Sequence, residues 1–239
     1  MISAREAIAR AGERLELRVV LAVLLVAGAL WGFVALAGEV MEGETLAFDR
    51  ALLLALRDPA NPADPLGPSW LREVGRDMTA LGGIAVLTLL TIGVLAFMAL
   101  RALWGAAGLL LASVLGGMVA SNLLKAAFDR ARPDLVPHGS IVMTASFPSG
   151  HAMMSAVVYL TLGVLLARVE PRRRDKAFIL SCAVFLTLLV GVSRVYLGVH
   201  WPTDVLAGWC LGAAWALGCW LVARWLQRRG AVETDHAGQ

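Results

Sequence analysis

Apolar residues run along this chain in long blocks that short polar stretches separate. Six blocks approach the roughly 20 residues that a helix needs to cross the hydrocarbon core of a bilayer. They cover residues 17–40, 82–100, 105–128, 149–169, 177–197 and 203–226. The pattern predicts an all-α fold, an integral membrane bundle of six transmembrane helices within residues 17–226.

The polar stretches predict how the domain is organised. Residues 1–16 mix Arg and Glu at helical spacing and are predicted to form a cytoplasmic cap, since no small-residue cleavage site follows them. Residues 39–81 combine half-apolar helices with a proline-rich turn, which predicts an external amphipathic segment. Residues 129–148 are predicted to form an external loop beside the candidate site, and residues 227–239 a cytoplasmic tail.

Composition supports the membrane interpretation and excludes other classes. The chain is 59% hydrophobic and 16% charged, whereas a soluble domain has about 25% charged residues. A net charge of +3 is too small to indicate a nucleic-acid partner. The three cysteines lie inside apolar blocks and fit neither a disulfide framework nor a zinc site. The closely spaced Gly208 and Gly212 favour packing within a monomer over a dimer face.

Charge also predicts orientation. With the N-terminus in the cytoplasm, most of the 21 basic residues, including the cluster at 168–176, fall on the inside. Both termini are therefore predicted to be cytoplasmic, and the loop at 129–148 to be external.

Two groups of polar residues stand at the predicted outer helix ends. Lys125 and Arg132, followed by Pro133, bring two cations together and could by themselves anchor a headgroup. Ser149 suits a helix N-cap, and Gly150 lets a ligand approach the backbone, so the start of the fourth span resembles a phosphate cradle with His151 beside it. A plain helix cap would explain the second group equally well.

A third group comprises Arg194, His200 and Asp204. Arg194 can present a planar fork to phosphate oxygens, and Asp204 can accept a hydrogen bond from one nitrogen of His200 while the other stays free to attack. A structural His–Asp pair is the alternative. A metal site is disfavoured, because the surrounding cations would repel a divalent ion.

The three groups together resemble the motifs of the type-2 phosphatidic-acid phosphatase superfamily, the lipid phosphate phosphatases, in its membrane branch. Order and spacing fit at each position. The matching residues are Lys125-x6-Arg132-Pro133, Pro148-Ser149-Gly150-His151 and Ser193-Arg194-x5-His200-x3-Asp204.

The resemblance implies a set of roles. His200 would attack phosphorus and become a phosphohistidine, Asp204 would orient it, and His151 would protonate the leaving oxygen. The residues implied to bind phosphate are Lys125, Arg132, Ser149, Gly150 and Arg194. The resemblance implies a lipid phosphate substrate taken from the bilayer, with no cofactor and no metal.

Several functions stay open on the sequence. The same phosphohistidine could transfer its phosphoryl group to a lipid hydroxyl, and a transporter or non-catalytic scaffold is a further alternative. An intramembrane serine protease is disfavoured, because its chemistry would give Lys125, Arg132 and Arg194 no role. Candidate substrates are polyprenyl diphosphate, a glycolipid phosphate such as that of lipid A, phosphatidylglycerol phosphate and phosphatidic acid. The composition and short loops are typical of bacterial proteins, which predicts a location in the inner membrane. The placement of charge described above predicts that the site is on the periplasmic face.

Overall fold

The computed structural model describes residues 4–134 and 145–229, which form eight α-helices. In this part of the chain, β-pairing is limited to an isolated bridge between Arg57 and Pro65. The helices are α1 (Ala4–Glu42), α2 (Leu46–Leu54), α3 (Ser69–Ala80), α4 (Ile84–Leu100), α5 (Trp104–Phe128), α6 (Gly150–Val169), α7 (Arg173–Tyr196) and α8 (Pro202–Arg228). The predicted all-α membrane fold is confirmed.

The number of membrane spans depends on α3 and α4. Five of the described helices are long and apolar enough to cross a bilayer: α1, α5, α6, α7 and α8. Helix α4 has 17 residues, about 26 Å, which is shorter than a typical hydrocarbon core. It follows α3 across a bend of 45°, and the pair together qualifies as one broken span. The predicted count of six therefore holds only if α3, which the sequence places in the external segment, is part of the second span.

Helix α6 is the most buried of the spans and contacts α5, α7 and α8. Two glycines allow α8 to approach it. A Cβ at Gly208 would lie 2.7 Å from the Ser149 carbonyl oxygen, and one at Gly212 would lie 2.5 Å from Cβ of Ala156. Both glycines thus pack within one chain, as their spacing predicted, while the preference for a monomer stays a prediction.

Four helix ends meet at one side of the bundle. Helices α5 and α7 end there, and α6 and α8, which run the opposite way, begin there. Asp129 ends α5 in a left-handed conformation with φ of 38°, so the chain turns before Arg132. This end of the bundle gathers the three motif groups.

The segments outside the spans agree with the predictions in part. Helix α1 starts at Ala4, so the predicted cap is continuous with the first spanning helix. The predicted helices between residues 39 and 81 are α2 and α3. Residues 135–144 of the predicted loop and 230–239 of the predicted tail lie outside the described residues.

Candidate active site

His200 lies in the short link between α7 and α8 and is 1% exposed. Its Nδ1 is 3.4 Å from Oδ2 of Asp204 and 3.3 Å from Oγ of Ser146. Its Nε2 is 3.1 Å from Nη1 of Arg132, which also donates to the Val199 carbonyl at 2.9 Å. Because a guanidinium can only donate, Nε2 is the acceptor and the ring proton belongs on Nδ1. This tautomer keeps a lone pair on Nε2.

Asp204 is fully buried in the first turn of α8. Its Oδ2 accepts hydrogen bonds from the Ser146 hydroxyl at 2.5 Å and from the Trp201 backbone N–H at 2.9 Å. Its Oδ1 accepts from Nη1 of Arg130 at 2.6 Å. The carboxylate beside His200 is therefore held on both oxygens.

His151 lies in the first turn of α6 and is partly exposed. The groups that interact with its ring electrostatically are mostly cationic: Arg194, His200, Lys125 and Arg132. The break between α3 and α4 packs against it, since a Cβ at Gly82 would lie 3.3 Å from the His151 carbonyl oxygen. The two motif histidines thus belong to one electrostatic cluster.

Three cations line the same region. Lys125, in the last turn of α5, interacts electrostatically with Arg132 and Arg194. Arg194, in the last turn of α7, donates from Nη1 to the Thr79 hydroxyl at 3.0 Å. Its Nε is buried with no hydrogen-bond partner among the described residues. Since buried donors are normally paired, this arrangement suits an anionic ligand that brings its own acceptors.

Ser149 is the N-cap of α6, as predicted, and its hydroxyl accepts a hydrogen bond from the Ala152 N–H at 3.4 Å. Its own backbone N–H donates to the Asp204 carbonyl at 2.9 Å. The first backbone bond of the helix runs from Met153 to Ser149, which leaves the N–H groups of Gly150 and His151 at the helix start. The hydroxyl and backbone N–H of Ser149 thus already have partners within the protein. A contact between Ser149 and phosphate stays a prediction.

Burial lowers the pKa of His200 to about 4, and the positive charges of Arg194 and Arg132 act in the same direction. Asp204 opposes this shift through its hydrogen bond and its charge. Burial also lowers the pKa of Arg132. His200 is therefore a neutral imidazole at neutral pH, the form that a nitrogen nucleophile requires.

Sequence reasoning missed the residues that support this cluster. Arg130, Ser146 and Thr79 each hydrogen-bond a motif residue, and Asp49 pairs with Arg130 at 2.7 Å. A signal existed for Asp49, which is the only acidic residue in the half-apolar stretch at 45–57. The spacing of the motifs contained no comparable signal for Arg130, Ser146 or Thr79.

Among residues 4–134 and 145–229, no group of three or more His, Cys, Asp or Glu side chains could hold a metal ion. The residues around the two histidines are mainly cationic, which does not suit a divalent ion. Independence of metals stays a prediction.

Known proteins are similar to this chain in sequence and in fold. The PAP2 superfamily matches residues 105–228. The chain is 40% identical to phosphatidylglycerophosphatase B of Bacillus subtilis over 60% of its length and 70% of that protein. It is 32% identical to lipid A 1-phosphatase of Rhizobium etli over 63% of its length and 70% of that protein.

A crystal structure of a transmembrane PAP2-type phosphatidylglycerolphosphate phosphatase from Bacillus subtilis superposes with a TM-score of 0.71 and 29% sequence identity. The match covers 85% of this chain and 96% of that one. The resemblance seen in the motifs is thereby confirmed: the chain is an integral membrane protein that belongs to the PAP2 superfamily.

Proposed function

We propose that the protein is a metal-independent lipid phosphate phosphatase that works through a phosphohistidine on His200. The observation that carries this proposal is the meeting of two histidines with three cations at one end of the bundle. Nε2 of His200 faces Arg132 at 3.1 Å, so a phosphate bound by Arg132 would lie beside the attacking atom. The similarity to lipid phosphatases supports the same reaction class.

The reaction would proceed in two steps. Nε2 of His200 attacks phosphorus, the bond to the lipid oxygen breaks, and His151 gives that oxygen a proton. A water molecule then attacks phosphorus, His151 takes its proton, and the bond to Nε2 breaks to release inorganic phosphate. Asp204 stabilises the positive charge that the His200 ring carries in the intermediate.

Binding of the phosphoryl group would depend on donors from four elements. Lys125, Arg132 and Arg194 contribute positive charge, and the N–H groups of Gly150 and His151 contribute the start of α6. These donors stabilise the charge that spreads over the non-bridging oxygens in the transition state, so they take the part that a metal has in many phosphatases.

The substrate would be a phosphorylated lipid. The relatives are named for phosphatidylglycerophosphate and for the 1-phosphate of lipid A, and polyprenyl diphosphate and phosphatidic acid present the same phosphate chemistry. The spans expose large apolar side chains such as Trp31, Leu89 and Phe178, which suits a protein surrounded by lipid chains. A lipid would enter sideways with its phosphate at headgroup depth.

We further propose that the site faces the periplasm and both termini the cytoplasm. The basic cluster at Arg172–Lys176 follows the opposite end of α6 from His151, and Arg168 hydrogen-bonds Gln227 near the C-terminus of α8 at 3.0 Å. Cysteines placed at Ala60 and at Arg173, in a background without the three native cysteines, would test this. An impermeant thiol reagent should label the first in intact cells and the second only after lysis, and the reverse pattern would refute the orientation.

Phosphate release from a panel of lipid phosphates by the purified full-length protein is the central test. Activity should persist in chelator, and vanadate should inhibit it by mimicking the five-coordinate phosphorus. Failure to release phosphate from every lipid, or activity that returns only with a divalent ion, would contradict the proposal. Appearance of labelled phosphate in a second lipid would identify the protein as a phosphotransferase instead.

A further inference from the structure

A buried chain of ion pairs connects α2, in the external segment, to the candidate active site. It runs from Asp49 in α2 through Arg130, which follows α5, to Asp204 in α8. Both carboxylate side chains are fully buried, and the Arg130 side chain is 13% exposed. Removing one partner of a buried ion pair leaves an uncompensated charge, so the three groups depend on one another.

Arg130 joins the two carboxylates through different nitrogens. Nη1 donates to Oδ1 of Asp204 at 2.6 Å and to the Thr203 hydroxyl at 2.9 Å. Nη2 donates to Oδ2 of Asp49 at 2.7 Å and to the Thr45 hydroxyl at 3.1 Å. The planar, forked guanidinium matches this geometry, whereas a lysine ammonium could not reach all four acceptors in the same way.

Asp49 is in turn fixed to the start of α8. Its Oδ1 accepts from the Thr203 backbone N–H at 2.9 Å, and its Oδ2 accepts from the Thr203 hydroxyl at 2.6 Å. This N–H belongs to the first turn of α8, where backbone donors have no partner within the helix. Asp49 thus ties α2 to the same helix start that carries Asp204.

The contacts of Asp204 show what sets its position. Its distances to Ser146 and Arg130, 2.5 and 2.6 Å, are much shorter than the 3.4 Å to Nδ1 of His200. The contacts with Ser146 and Arg130 therefore set the position of the Asp204 carboxylate. A displacement of Arg130 would change the distance from this carboxylate to the His200 ring.

We propose that Arg130 is a positioning residue that fixes the Asp204 carboxylate against His200, and that Asp49 of α2 holds Arg130 in place. This inference rests on the proposed function, because it concerns the reaction of His200. It gives the external segment a part in the chemistry.

Steady-state kinetics of phosphate release by purified full-length variants tests the inference. Asp49→Asn keeps the size of the side chain but removes its charge, and it should lower kcat about tenfold with KM within about twofold, since the phosphate-binding cations are intact. Arg130→Lys should lower kcat by about 10- to 100-fold, because an ammonium cannot bridge the two carboxylates as the forked guanidinium does. Arg76→Met is the control: Arg76 lies in α3, where it pairs with Glu73 at the surface, and its loss should leave kcat unchanged.

A second pair of variants separates positioning from folding. Arg130→Met leaves two buried carboxylates without their cation, and combining it with Asp49→Leu removes one of them. The double variant should regain much of the lost Tm while kcat stays at least about tenfold below wild type. Recovery of kcat together with Tm would overturn the inference, because the network would then serve stability alone.

Where Arg130→Met does not fold, Asp49→Asn and Arg130→Lys decide the question. A kcat within twofold of wild type in both would overturn the inference even though the wild-type protein is active. An inactive wild-type protein would instead contradict the proposed function itself.

Discussion

The two motif histidines are held in different ways. The His200 ring is almost fully buried, with neighbours within 3.4 Å on both nitrogens, and its carboxylate is fixed by further contacts. The His151 ring is partly exposed at the start of α6, where its electrostatic neighbours are mostly cations. On one side of the site the protein completes its own hydrogen bonds, and on the other it leaves charge to be matched by a ligand.

The proposed roles of the two histidines would account for this difference. A nucleophile must point one atom at phosphorus in every turnover, so a fixed tautomer and orientation would lower its barrier. Groups that bind phosphate and protonate a leaving oxygen would instead need access to the substrate. We therefore expect changes near His200 to act on kcat and changes at the more open side to act on KM or on the dependence on the leaving group.

Replacing His200 should have the largest effect. His200→Ala removes the proposed attacking nitrogen, and we expect kcat to fall by at least about 1,000-fold. Quenching in alkaline detergent after mixing with radiolabelled lipid, which preserves a phosphohistidine, should trap a phosphoenzyme in the wild type and none in this variant. An unchanged Tm would exclude misfolding as the cause. A labelled, acid-labile adduct in this variant would show that another residue is the nucleophile.

His151→Ala should come next, and its effect should depend on the substrate. We expect kcat to fall about 100-fold for a lipid alkoxide leaving group, because general acid catalysis is lost. For an aryl phosphate, whose leaving group needs no proton, the loss should be less than about tenfold. Equal losses for both substrates would argue against the proposed acid.

A methyl group at Gly150 would probe the binding side. The added Cβ would lie 3.2 Å from Nζ of Lys125, so the flexible lysine must move aside. Gly150→Ala should raise KM by about three- to tenfold with a small change in kcat, in line with a loss of ground-state binding. Gly93→Ala, where a Cβ meets no atom within 4 Å, is the matched control and should leave both constants unchanged.

The sequence predicted which motif residues come together better than it predicted the contacts that support them. These residues could be found because they lie at fixed spacing at or beside helix ends that meet in space: Lys125, Arg132, His151, Arg194 and His200. Their chemical roles stay predictions. The supporting contacts join distant segments: Arg130 is 81 residues from Asp49, and Arg194 is 115 residues from Thr79. Local patterns carry no information about such pairs.

The bent α3–α4 pair escaped prediction for another reason. Helix α3 is amphipathic and polar enough to read as an external helix. Only packing against α7 and the start of α6 shows that its last turn belongs to the site.

Thr79→Val tests how much this bent pair contributes to phosphate binding. The variant removes the 3.0 Å hydrogen bond to Nη1 of Arg194 but keeps the side-chain volume nearly constant. We expect KM to rise about threefold, the cost of one modest hydrogen bond. Thr91→Val is the control, since the Thr91 hydroxyl donates to the Leu87 carbonyl of its own helix. An unchanged KM in Thr79→Val would remove Thr79 from the binding machinery.

The smallest effect should be the response of the nucleophile to mild acid. Protonated imidazole cannot attack, and burial holds the pKa of His200 at about 4 rather than the ordinary 6.5. Between pH 7 and 5.5, the neutral fraction of an imidazole of pKa 4 falls by only about 3%. The neutral fraction of an imidazole with the ordinary pKa would fall about eightfold over the same range. We therefore expect kcat/KM, corrected for ionisation of the substrate phosphate, to change by less than about twofold over this range, with the His200 limb appearing only at lower pH. The correction uses the measured pKa of the lipid phosphate itself. A corrected enzyme pKa at or above 6.5 would mean that His200 is solvated in the working protein and that the contrast between the two histidines does not hold.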